Sequence, residues 1–90
     1  MKIPNATEYG YRGKSHTLLF EVFAFPEAKI TWEKTNHKDF NEGRFQQRNG
    51  SLFIENTKYT DSGRYQATAR NILGEVKVTT LLIVRDAVKK

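Results

Sequence analysis

The chain has no cysteine among its 90 residues. That removes disulfides, thiolate catalysis and zinc–thiolate sites at once. It also lacks any apolar stretch long enough for a signal peptide or a membrane span, so direct membrane insertion is not expected. Basic residues outnumber acidic ones, 15 to 10, giving a net charge of +5. They are scattered from Lys2 to Lys90 without a dense run, so no nucleic-acid footprint is expected. Gly-rich phosphate loops, HExxH helices and nucleophile elbows are missing as well. His16 reads as a partly buried strand histidine and His37 as a loop residue, while Asp39 and Glu42 are too few for a calcium loop. No nucleophile–base arrangement is legible. The expectation is a chain that is not an enzyme and carries no cofactor, metal or catalytic site.

What is present is alternation. Hydrophobic content is 38%, enough for one domain with a modest core. Apolar residues recur at every second position rather than at helical spacing, and turn signals such as Asn49-Gly50 and Asp61-Ser62-Gly63 separate the runs. The pattern predicts strands over 15–24, 29–34, 44–48, 51–56, 63–70 and 75–84. Inward positions include Phe20, Ile30, Trp32, Phe45, Leu52, Ile54, Tyr65, Ala67, Val76 and Leu82. The sequence contains no internal repeat or low-complexity segment. Residues 7–85 form the expected domain, with a lead or linker at 1–6 and a linker or appended tail at 86–90. The chain reads as a module cut from a longer one.

Three segments carry a family resemblance. Phe20-Glu21-Val22-Phe23-Ala24-Phe25-Pro26-Glu27-Ala28-Lys29-Ile30-Thr31-Trp32 is similar to Cys-x-Val-x-Gly-x-Pro-x-Pro-x-Ile-x-Trp. Asn49-Gly50-Ser51-Leu52-Phe53-Ile54 resembles a run found in neural adhesion molecules such as contactins. Asp61 to Gly74 is similar to Asp-x-Gly-x-Tyr-x-Cys-x-Ala-x-Asn-x-x-Gly. Together they resemble the I-set immunoglobulin family, a two-sheet Greek-key β-sandwich, over about Thr7 to Val84. Both family cysteines are replaced, by Phe20 and Ala67. The resemblance implies a structural core of Phe20, Trp32, Leu52, Ile54, Tyr65 and Ala67, and a tyrosine corner at Tyr65. It also implies an ion pair between Arg44 and Asp61. Losing a disulfide costs a small domain ~2–5 kcal/mol. A buried Phe20 contributes up to ~3 kcal/mol and an edge contact with Trp32 ~0.5–1.5 kcal/mol, so Phe20 opposite Ala67 is the expected plug.

Function lives in sites carried on such a fold. Outward positions Leu19, Phe23 and Phe53 form an expected apolar interface. Arg64, Arg70 and Lys77 form an expected basic face toward an acidic protein or a sulfated glycan. Asn5 and Asn49 head Asn-x-Ser/Thr sequons and are candidate glycosylation sites. The absent cysteines fit either a reducing cytosol or a disulfide-free domain of an extracellular chain; the sequons and the contactin-like run favour the second. The expected role is a protein–protein interaction module of a cell-surface adhesion molecule or receptor, as spacer, homophilic contact or both. Its partners are then itself or neighbouring domains. The alternative is an intracellular module of the titin or myosin-binding type.

Overall fold

The computed structural model describes residues 2–35 and 43–86; His37, Asp39 and Glu42 lie outside them. Among the described residues seven strands follow in order: β1 Thr7–Tyr11, β2 His16–Leu18, β3 Lys29–Lys34, β4 Phe45–Arg48, β5 Ser51–Ile54, β6 Gly63–Asn71 and β7 Gly74–Arg85, with a 3-10 turn at Tyr59–Asp61 before β6. They make a sheet ordered β1-β7-β6-β3 and a second ordered β2-β5-β4. Strand β1 runs parallel to β7, and the other pairs are antiparallel. The protein is an all-β two-sheet sandwich.

The inner faces meet as the alternation predicts. Leu18, Phe20, Trp32, Leu52, Ile54, Tyr65, Ala67, Ala69, Leu82 and Val84 are buried in one cluster. Phe20 and Trp32 meet edge to face, with ring centroids 6.2 Å apart and planes at 83°. Ala67 is the register partner of Trp32 and is fully buried. The large Phe20 ring and the small Ala67 thus share one buried cluster in a chain without cysteine.

Three expected boundaries differ by more than one residue. The strand expected over 15–24 shrinks to His16–Leu18, because its later backbone groups leave β5. The Phe20 N–H donates to Ser51 Oγ at 2.9 Å, and Glu21 pairs with Lys2 instead. Strand β5 stops at Ile54 rather than Asn56, whose φ of 52° takes the chain out of the sheet. The lead expected at 1–6 is bonded into the fold from Lys2 onward. Lys2 exchanges both backbone hydrogen bonds with Glu21, Pro4 is buried, and Leu81 N–H donates to the Ala6 carbonyl at 2.9 Å. This segment carries the chain from the edge of one sheet to the edge of the other, where β1 begins.

Candidate protein-contact surfaces

Strand β6 runs from one end of the sandwich at Gly63 to the other at Asn71, and the two ends are built differently. At the lower end, Arg44 grips the Asp61 carboxylate with both guanidinium nitrogens, at 2.9 and 3.1 Å. It also donates to the Glu55 and Asn56 carbonyls. The Lys58 N–H donates to Asp61 Oδ2 at 2.8 Å. The Tyr65 hydroxyl donates to the Asp61 carbonyl at 2.5 Å, and Lys34 Nζ donates to the Thr60 carbonyl at 2.5 Å. Burial opposes ionisation of Asp61, but the Arg44 and Lys58 hydrogen bonds and the charges of Arg44 and Lys34 outweigh it. They hold its carboxyl below the usual carboxylate range. Burial lowers the Lys34 ammonium against the pull of Asp61. It raises the Tyr65 phenol, helped by the charge of Asp61. Gly63 adopts a φ of 149°, and a Cβ there would stand 2.9 Å from Lys34 Cε. These polar groups satisfy one another, so the arrangement braces the fold.

The three residues of the expected apolar interface differ in their surroundings. Leu19 is exposed. Phe53, paired with Thr17 on β2, is half-buried under the Arg48 guanidinium 4.1 Å from its ring. Gln46 Oε1 holds that guanidinium through two hydrogen bonds. Phe23 lies past the end of β2 and lines hollows at the upper end. Phe23 stands apart from β5 because β2 ends at Leu18, five residues earlier.

The expected basic face is partly neutralised. Glu75 reaches Arg70 and Lys77 at 3.5 Å each, which follows from the register pairing Arg70 with Glu75 across β6 and β7. Arg64 is exposed with no ion pair among the described residues. Exposed pairs of this sort contribute little to stability, yet they cancel much of the field a sulfated or acidic ligand would feel.

The upper end gathers what sequence reasoning left scattered. Phe23, Phe25, Ile72 and Leu73 are 89%, 94%, 89% and 76% exposed. They stand on two neighbouring segments, the β2–β3 connection and the β6–β7 hairpin, tied together where Asn71 Nδ2 donates to the Pro26 carbonyl at 2.8 Å. Between them opens a hollow of about 470 Å³ that reaches Val22, Ala28, Ala69 and Val76. Val76 is in register with buried Ala69 but is 44% exposed, so the sandwich interior is open here. Single exposed apolar residues are ordinary, but four on two adjoining segments make this end a candidate contact surface. The signal available in the sequence was the pair of aromatics flanking Ala24 and the Ile-Leu tip of a hairpin. Their shared end emerges only from the topology.

Sequence reading also missed β1. Its outward Tyr9 and Tyr11 are 49% and 43% exposed and lie beside Ile83 and Arg85 of β7. Arg85 covers the Tyr9 ring at 5.1 Å.

The sequons differ in context. Asn5 is exposed, and only its backbone N–H is engaged, by Glu8 Oε2 at 2.8 Å. Asn49 is exposed in a turn where Asn49 and Gly50 have φ of 50° and 92°. A Cβ on Gly50 would stand 2.7 Å from Ile30 Cδ1 and 2.8 Å from the Phe20 carbonyl, and Trp32 Nε1 donates to the Gly50 carbonyl at 2.8 Å. Ser51 is buried against Phe20. All three residues of the Asn49 sequon therefore have a folding reason of their own.

Comparison with known proteins places this geometry in context. A family model described as "Immunoglobulin I-set domain" matches residues 4–84. The neural cell adhesion molecule L1-like protein of Homo sapiens is 37% identical over 86 residues, covering 93% of this chain and 7% of that protein. Contactin-2 of Rattus norvegicus is 35% identical over 79 residues, covering 87% of this chain and 8% of that protein. The chain thus spans under a tenth of these relatives' length. Among solved structures, the immunoglobulin domains 1–4 of Sidekick-1 superpose with a TM-score of 0.88 at 24% identity, over 94% of this chain and 23% of that one. That last likeness speaks to the fold.

Proposed function

The chain belongs to the immunoglobulin I-set family, and on that premise we propose that it is a non-enzymatic protein–protein contact module of a multidomain cell-surface adhesion molecule or receptor. It resembles immunoglobulin domains of adhesion molecules, which supports a role in protein interaction. The observation that carries the reading is the open upper end, where four large apolar side chains stand in solvent on a satisfied, rigid body. Surfaces of this kind serve recognition rather than solubility. The contact surface is therefore this end, with Phe23 as the one member shared with the expected Leu19, Phe23 and Phe53 group. Arg64 is the cation best placed for an acidic or sulfated partner, and Arg70 and Lys77 contribute less.

An extracellular location fits the relatives' names and the exposed sequon at Asn5. A second reading, an intracellular scaffold module, rests on the absence of cysteine. One experiment separates them. In cells making the natural full-length protein, surface biotinylation and glycan mapping should find the protein outside the cell with a glycan at Asn5. Asn49 is less diagnostic, since its sequon has a structural reason to exist. Deleting this domain should then weaken cell–cell aggregation or ligand capture by the parent chain. A protein shielded from biotin on intact cells and unglycosylated at both sequons would overturn the cell-surface reading.

A further inference from the structure

A second hollow, of about 580 Å³, lies between the β2–β3 connection and the β4–β5 hairpin. Its apolar lining includes Val22, Ala28 and Ile30, which pack onto the core, and Phe23, which stands in solvent. Its polar lining is Glu27, Gln47 and Asn49. An apolar floor with a few polar groups on the wall is the ordinary build of a small binding site. Gln47 breaks the pattern of its strand to join it. Phe45 packs against the core, and buried Leu52 is the register partner of Gln47, so alternation puts Gln47 on the inner face. Gln47 is nevertheless exposed, and its amide has no hydrogen-bond partner among the described residues. Breaks of this kind concentrate at functional sites.

Charge selects the occupant. The lining holds one carboxylate and no lysine, arginine or histidine, in a chain of net charge +5. Glu8, Glu21, Asp61, Glu75 and Asp86 each face a basic side chain. Glu27 has no ion-pair partner among the described residues. Glu33 and Glu55 share that freedom but line neither hollow. Arg48, between Gln47 and Asn49 in sequence, is held on the opposite face by Gln46, its guanidinium over Phe53. One carboxylate with two amides is too little charge for a divalent ion. The set suits an organic cation. Carboxylate and amide oxygens accept from the charged head, the apolar floor covers a methylene stem, and the Phe23 ring offers its face.

We propose that this hollow is a pocket for a basic side chain, arginine above lysine, presented by a protein partner. Glu27 takes the charge, Gln47 and Asn49 accept the remaining N–H groups, and Phe23 packs over the stem. Arginine is preferred because a planar guanidinium offers several donors in a fixed fork and stacks on a ring. This rests on the contact-module reading and gives the chemistry of its partner. It also sets the pocket apart from the expected basic face, because Glu27 would repel a sulfated ligand.

The probes are N-acetyl-arginine amide and N-acetyl-lysine amide, titrated into the isotope-labelled chain and followed by nuclear magnetic resonance. The backbone amide signals of Glu27 and Gly50 and the side-chain amide signals of Gln47 and Asn49 should shift, with arginine binding tighter than lysine. N-acetyl-citrulline amide, of the same shape but uncharged, should bind roughly tenfold more weakly. Glu27→Gln should weaken the arginine probe by about as much, and added salt should weaken it as well. Because Glu27 is exposed and unpaired, the thermal midpoint of that variant should stay close to that of the parent. Ile72→Ser, on the other hairpin, should leave the affinity unchanged. No shift at these residues up to the solubility of the probe, equal affinity for citrulline and arginine, or binding indifferent to Glu27→Gln would overturn the proposal. So would a stronger response to methyl glucoside, which would make the hollow a site for a neutral saccharide. Each of these outcomes removes the cation pocket and leaves the contact-module reading standing, because that reading is tested separately by deleting the domain from the parent chain.

Discussion

The lower end closes on itself and the upper end does not. Below, Arg44, Asp61, Lys34 and Tyr65 form a polar set in which each charge faces a partner or a carbonyl. Above, a hollow lined by Phe23 and Leu73 opens between the turns, with Phe25 and Ile72 exposed on the same two segments. The strands connecting the ends are shared, so the contrast comes from the turns alone. One set of turns braces the sandwich, and the other leaves apolar side chains in solvent. Connecting turns can differ in this way on a common fold without changing its strands.

The contrast can be tested by substitution, beginning where the ends are coupled. Phe20→Ala, midway between them, should cost about 4 kcal/mol in chemical denaturation and lower amide-exchange protection at both ends together. A loss confined to the upper end would mean that Phe20 plugs that end only. Asp61→Ala should cost about 3 kcal/mol, because it leaves Arg44 partly buried without its carboxylate. Gly50→Ala should cost about 2 kcal/mol, since its Cβ meets Ile30 and the Phe20 carbonyl; its effect on midpoint temperature should fall between the preceding change and those at the tip. Phe25→Ser and Ile72→Ser should each stay within about 0.5 kcal/mol of the parent. Their effect should appear in association instead. If Ile72→Ser destabilised the monomer as much as Asp61→Ala, the upper end would be part of the core and the contrast would fail.

Acid sharpens the same comparison. The folded state holds Asp61 below its usual range, so its contribution is fully present above the unfolded carboxylate pKa of about 3.9 and is lost as pH falls through the lower folded value. Stability measured from pH 6 downward should decline through this window, and Asp61→Asn should flatten that part of the decline. An unchanged profile would show that Asp61 does not govern it.

The sandwich and its centre were legible because the signals are local and redundant. Trp32 and Tyr65 alternate with polar neighbours, and the Asp61 to Gly63 turn precedes Tyr65 in a fixed pattern. The pairing of Arg44 with Asp61 was readable only through family resemblance, since seventeen residues separate them. The upper end was not legible for two reasons. Alternation from Phe20 to Ala24 says nothing about which strand receives the backbone hydrogen bonds, and here Lys2 takes Glu21 away from β5. Strand β1 was missed because it is an edge strand whose sequence, Thr7 to Tyr11, turns only buried Gly10 and half-buried Glu8 inward. The neutralisation of Arg70 and Lys77 depended on hairpin register, which places Glu75 between them.

The parallel pairing of β1 with β7 has a mechanical meaning. The chain enters β1 at Thr7 and leaves β7 at Arg85, at opposite ends of the paired stretch. Tension drawn through the two termini therefore loads that ladder in shear, with its hydrogen bonds sharing the force rather than opening one by one. Only the short Lys2–Glu21 contact would peel first. Once the ladder yields, no covalent cross-link halts extension, and the chain can pay out to about 300 Å. In a string of such modules this one would act as a shock absorber with a single stiff catch and a long stroke.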